Sequence, residues 1–201
     1  MTAARRLCAS EGVGVTSIRG VIRASGANLN AVHYHFGSRE NLIETLVDQA
    51  LGALNEERFD RFSKLGTPCS ARDVLRAGYG PVFRQALGPE REQYREGLLI
   101  VGQLRFDPSG AGASALERHA SEFIQEIESR LHEAVPISQA QLRFRMRLVN
   151  AAAWDSALRP DVMAEILGAS HTARAVTRFT NRFLDFAVAG LGTQYDGDEN
   201  T

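Results

Sequence analysis

Apolar residues in this chain recur at helical spacing almost from end to end, and no stretch alternates apolar with polar residues as a half-buried strand does. That periodicity restricts the fold to the all-α class. Glycine and proline marks interrupt it at Gly12–Gly14, Gly26, Gly37–Ser38, Gly66–Thr67–Pro68, Gly88–Pro89, Asp107–Gly112, Pro136, Arg159–Pro160 and Gly168. Between the marks the pattern predicts nine helices, over 2–11, 17–25, 28–35, 39–64, 70–86, 90–104, 113–134, 139–158 and 172–191. A polar, acidic tail from Gly192 to Thr201 is expected to fray.

Three short helices precede the long ones. Helices below ~12 residues are marginal alone, so the first three need a shared core. Ala4, Leu7, Cys8, Ile18, Val21, Ile22, Val32 and Phe36 can supply it. The division is therefore a head over 1–45 and a helical body over 46–201. The fourth helix starts beside the head, with Ser38 as N-cap and Glu40 at the positive end of its dipole. It runs on into the body, so it can couple the two mechanically.

Composition excludes several classes. With 201 residues, 44% hydrophobic and 23% charged, the chain is long enough to bury a sizeable core, and disorder is excluded. The longest apolar run, Leu98 to Leu104, is interrupted by Gly102 and Gln103 and falls far short of a membrane span. The N-terminus has no secretory pattern, and Cys8 and Cys69 provide neither a disulfide framework nor metal-ligand spacing. A cytoplasmic location, no membrane, no metal and no cofactor are the expectations. The net charge of −1 conceals an asymmetry. Residues 1–40 carry Arg5, Arg6, Arg19, Arg23 and Arg39 against Glu11 and Glu40, a balance of +3, and the remainder is −4. A basic head on an acidic body is the arrangement expected when only the head meets an anion such as DNA.

The stretch from Thr16 to Leu42 carries the function. Thr16 or Ser17 caps a helix with Ile18, Val21, Ile22 and Ala24 on its inner face. Gly26-Ala27 breaks it, and a second short helix begins at Asn28 with Val32 turned inward. This is a helix-turn-helix, whose second helix can enter the major groove. Opposite Val32 lie Asn28, Leu29, Asn30, His33 and Tyr34. Amides there can pair with adenine edges, and a short apolar group can touch a thymine methyl. Thr16, Ser17, Tyr34, His35 and Arg39 suit phosphate contacts, which set register without reading sequence. His33 and His35 point to different sides of one helix, which argues against a metal pair.

These residues resemble the tetracycline-repressor (TetR) family of bacterial transcriptional regulators. The matching segments are Thr16 to Val21, Ala24-Ser25-Gly26 and Tyr34-His35-Phe36-Gly37-Ser38-Arg39-Glu40-Asn41-Leu42. The likeness covers roughly 2–48, and the body agrees only in helix count and order. Arg39 stands where the family usually has lysine, and Ala27 where valine is common. The resemblance also implies a first helix that begins before the position of Met1, so a true start upstream is an expectation. It implies a homodimer that represses by binding a palindromic double-stranded DNA operator and is released by a small apolar inducer.

The family usually holds that inducer inside the body. Tyr79, Phe83, Leu98, Phe106, Phe123, Ile127, Met146, Asn150 and Trp154 can face the interior, as core or as pocket wall. Met146, Asn150 and Trp154 share one stripe, an apolar wall with one amide anchor. Two seams suit a four-helix dimer interface. One is Val176, Phe179, Phe183, Phe186 and Gly190, and the other Leu142, Met146, Val149 and Ala153. The alternative is that both seams pack within one chain. Rival functions are an all-α enzyme and a protein-interaction module with a structural head. The sequence has no Gly-x-Ser-x-Gly, no His-Glu-x-x-His, no phosphate-binding glycine loop and no cysteine pairs, so no catalytic residue is assigned.

Overall fold

The computed structural model describes residues 1–28, 34, 36–106, 110–168 and 171–192. All the regular elements among them are helices. They are α1 Thr2–Glu11, α2 Ile18–Ser25, α3 Arg39–Ser63, α4 Ala71–Leu87, α5 Arg91–Leu104, α6 Ala113–Ala134, α7 Gln139–Leu158, α8 Pro160–Leu167 and α9 Ala173–Gly192. None of these helices is long and apolar enough to cross a membrane.

Serine sets four of the starts. Ser17, Ser38, Ser70 and Ser138 accept the backbone N–H groups of Gly20, Asn41, Asp73 and Gln141, which would otherwise lack partners. Gly26 ends α2 at φ 65, a left-handed turn that a side chain would strain. The expected helix over 28–35 lies mostly outside the described residues. One helix was not expected: α8 begins at Pro160, read in the sequence as a break. Proline at the first helical position loses only an N–H that has no partner there anyway, so the same residue that stops α7 starts α8.

The middle of the molecule is α4. Eleven of its 17 residues are buried, because α3, α5, α6, α7, α8 and α9 all pack against it. Its inner surface is aromatic. Phe83 lies 4.9 Å from Phe179 and 4.8 Å from Phe183, edge to face, and Tyr79 lies 5.7 Å from Phe123 and 5.5 Å from Phe183. At Gly78 the helix is bare, and a Cβ there would stand 2.8 Å from Ile127 Cδ1 and 3.1 Å from Phe123 Cε2. The close seating of α6 on α4 depends on that missing methyl.

A polar thread crosses the same contact. Arg58 of α3 is buried; its Nε donates to the Gly78 carbonyl and its Nη1 to Asn55 Oδ1, both at 2.9 Å. Asn55 in turn donates to the His119 carbonyl at 2.9 Å. At the upper end of α3, Asp48 accepts from Arg118 at 2.5 Å and lies 2.9 Å from His119 Nε2.

Two glycines two residues apart should respond oppositely to the same change. Gly78→Ala should lose about 1–3 kcal/mol through overpacking. Gly80→Ala, whose Cβ meets nothing within 4 Å, should be neutral or gain up to about 1 kcal/mol of helix propensity. Urea denaturation of both variants checks this, and equal effects would contradict the close-approach reading of Gly78.

Candidate nucleic-acid interface

The head is assembled around the loop between α1 and α2. Ala4 and Cys8 of α1, Val13 of the loop and Val21 of α2 are buried together, with Leu7 and Phe36 partly covered against them. Burial pushes the Cys8 thiol above its ordinary value, although Thr16 and Arg39 pull it the other way. It is an uncharged core residue. Ala24, expected on the inner face of α2, is exposed.

Three of the polar residues expected at phosphates differ in what they do. Thr16 is buried, and its hydroxyl donates to the Gly12 carbonyl at 2.8 Å, so it closes the loop. Arg39 spends its fork on the same loop: Nε donates to the Thr16 carbonyl at 2.7 Å, and Nη2 to the carbonyls of Gly14 at 3.1 Å and Val13. Both side chains turn to the loop for one reason. A tight loop without regular structure leaves carbonyls unpaired, and the nearest donors are drawn to them. Ser17 is exposed, and its Oγ accepts from the Gly20 N–H. Asn28 and Tyr34 are exposed on the surface of the head. Leu29, Asn30, His33 and His35, the other expected groove residues, lie outside the described residues.

Sequence reasoning missed the residue that docks the head on the body. Gln103 of α5 accepts the Val13 N–H at 2.7 Å and donates to the Cys8 carbonyl at 3.2 Å. One amide thus bridges the end of α1 and the loop while α1 packs along α5. In the sequence Gln103 only interrupts an apolar run.

In the body, Tyr79, Ile127, Met146 and Asn150 come together on a cleft of about 520 Å³ between α6 and α7. Phe83 and Phe123 belong to the aromatic core behind it. Trp154 is buried with its ring under Arg105, 5.1 Å from the guanidinium carbon, and does not line the cleft. Phe106 is 86% exposed, just beyond the end of α5, and is not among the residues lining this cleft. The seam expectation is corrected as well. Leu142, Val149, Val176, Phe179 and Phe183 are buried within the single chain, the phenylalanines by α4. Only Phe186 and Gly190 face outward. The large apolar side chains left outside on these helices are Phe144 and Leu148 of α7, 66% and 56% exposed, and Phe186 of α9, 62% exposed.

A capped helix and a left-handed glycine break belong to a small head seated on a helical bundle. That class of molecule has known members. Residues 1–46 match the family of bacterial regulatory proteins, tetR family. A protein from Rhodococcus sp. named as a TetR-family transcriptional regulator is 17% identical, with a TM-score of 0.64 over 92% of this chain and 94% of that one. The transcriptional regulatory protein RHA5900 is 15% identical, with a TM-score of 0.63 over 96% and 97% of the two chains. GusR of Salmonella enterica is also 15% identical, with a TM-score of 0.63 over 94% and 92%. No curated protein matches the sequence. The first 46 residues are thus similar to the tetR family, and the chain has the fold of proteins named as TetR-family regulators.

The role of Arg39 separates cleanly in a conservative variant. Arg39→Lys keeps the charge but cannot span three carbonyls, so the loop should lose about 1.5–3 kcal/mol of local stability. Hydrogen exchange at residues 12–21 should accelerate by that amount. Unchanged protection there would mean that the fork holds nothing together.

Proposed function

We propose that this chain is a cytoplasmic, one-component transcriptional regulator that represses by binding a palindromic DNA operator as a homodimer. The observation that carries the reading is the coincidence of the tetR-family match at 1–46 with the capped α2 and its left-handed break at Gly26. The basic balance of the first forty residues supports it. The head is taken as 1–45 and the body as 46–201. Asn28 and the segment that follows read bases, while Ser17 and Tyr34 contact phosphate.

A single short helix in a groove binds too weakly to be specific, so two heads are needed. The partner face in this reading is the outward side of α7 and α9, with Phe144, Leu148 and Phe186 as its apolar centre. Each such side chain would contribute on the order of 1.5–3 kcal/mol if fully covered.

Ligand response follows from connection. The 25 residues of α3 run for about 37 Å from the head into the bundle, and Gln103 fixes the head to α5. A ligand that prefers one arrangement of α5, α6 and α7 would thereby change the spacing of the heads, as a shift in populations. Coupling of about 1–3 kcal/mol between ligand and operator would be ordinary.

Two measurements test the reading. In fluorescence anisotropy with the DNA flanking the gene, Asn28→Ala should lose about 1–3 kcal/mol on specific DNA and little on random DNA. Equal losses on both would remove Asn28 from base reading. In sedimentation the wild type should run near twice 22.0 kDa. Leu148→Glu combined with Phe186→Glu should give folded monomer without operator binding, and a persisting dimer would exclude that face.

A further inference from the structure

Two buried polar groups on adjoining helices have no hydrogen-bond partner: one lines the cleft, and the other is held by the carbonyl of the residue before it. Tyr79 lines the cleft, and its Oη is buried without a partner. Arg58 is 3% exposed, and its third nitrogen, Nη2, is also buried without one. Its Nε is held by the carbonyl of Gly78, the residue before Tyr79. Its guanidinium lies over the Phe123 ring at 3.9 Å. The adjacent carboxylate, Glu57, is committed elsewhere, to Arg61 at 2.9 Å and Arg84 at 2.5 Å. Among the described residues Arg58 has no ion pair. Burial lowers its pKa to about 10, which still leaves it cationic at neutral pH.

A buried cation with a spare N–H is costly unless an anion meets it. Stable proteins leave few such groups, and each asks for a cause. Here the surroundings supply one. Ile124, Ile127, Phe144 and Met146 wall the cleft, whose volume suits a small organic molecule. Its charged lining is Arg143, Arg147 and Glu128, and Glu128 is engaged by Arg143 at 3.5 Å. Arg105 stands close enough to feel both Tyr79 and Arg147. Cations therefore outnumber anions around the inner end.

We propose that this cleft receives an organic carboxylate, its head against Tyr79 Oη and Arg58 Nη2 and its apolar body along Ile124, Ile127, Phe144 and Met146. The guanidinium can only donate and the tyrosine hydroxyl can donate as well as accept, so a single acceptor group can serve both. A carboxylate offers two acceptor oxygens and the charge that Arg58 lacks. An amine would face three arginines, and a neutral alcohol would leave the guanidinium uncompensated. The inference rests on the ligand-responsive reading above and names the chemical class of its ligand.

The test uses the full chain and matched probes: decanoate with decanamide, and 3-phenylpropanoate with 3-phenylpropanamide, titrated by calorimetry. At least one acid should bind about tenfold or more tightly than its amide, the difference expected of hydrogen bonds to charged groups. Tyr79→Phe should weaken that acid about tenfold and leave the amide unchanged, while melting no lower than wild type because it removes an orphaned hydroxyl. Arg58→Gln should abolish the preference for acid over amide. If that variant does not fold, Tyr79→Phe still decides. Equal binding of acid and amide, no effect of Tyr79→Phe, or no binding by either acid would overturn the proposal. Acids that bind as described but leave the operator complex intact would uphold the carboxylate site and refute the ligand-responsive reading. A neutral compound that releases operator while the acids do not bind would do the reverse.

Discussion

The contact between α4 and α6 at Gly78 is the constraint on which the other packing depends. Because Gly78 has no side chain, Ile127 and Phe123 can sit directly on the backbone of α4. That seating puts Phe123 under the Arg58 guanidinium and edge-on to Tyr79. Most of α4 is covered, with only Asp73 and Arg76 exposed, and Phe179 and Phe183 find their partners on it inside the chain. The buried side of a helix is normally apolar. This one is flanked by a buried arginine and a buried tyrosine whose hydroxyl has no partner, and that departure marks where a ligand would be worth most.

The head is held by side chains that compensate for loop backbone. Among residues 12–16 the Gly12 carbonyl accepts the Thr16 N–H, and the side chains of Arg39 and Thr16 add four bonds to the carbonyls of Gly12, Val13, Gly14 and Thr16. Gln103 does the same from the body. Thr16 and Arg39 therefore define the shape of the head through its loop. Since Gln103 belongs to α5, the shape of the head is tied to the position of a body helix.

Much of this was legible in the sequence because helix periodicity, serine caps and glycine breaks are local signals. The bounds of α1, α6 and α7 agree with the periodicity, and Gly26 sits where the motif placed it. What was not legible depends on what lies opposite. Spacing of three and four at Val176, Phe179 and Phe183 says that one face is covered, but not whether the same chain or a second one covers it. Here α4 does. Phe106 is apolar and follows an apolar run, yet the run ends before it. Arg58 sits in Glu-Glu-Arg-Phe-Asp-Arg, which reads as a solvated face, and only the tertiary fold turns it inward. Pro160 was read as a stop, when it both stops one helix and starts the next. The pocket residues divided along the same line. Tyr79, Ile127, Met146 and Asn150 share a cleft, whereas Trp154, on the same stripe as two of them, is rotated toward Arg105.

Whether the head reads DNA as one of a symmetric pair is decided most directly by selecting binding sites from a pool of random duplexes with the purified chain. The enriched sequences should converge on an inverted repeat, with half-site centres separated by one helical turn of DNA or a multiple of it, about 34–36 Å per turn. Enrichment of a single half-site without symmetry would contradict the dimeric arrangement. A pool that emerges with no shared sequence would contradict sequence-specific binding itself.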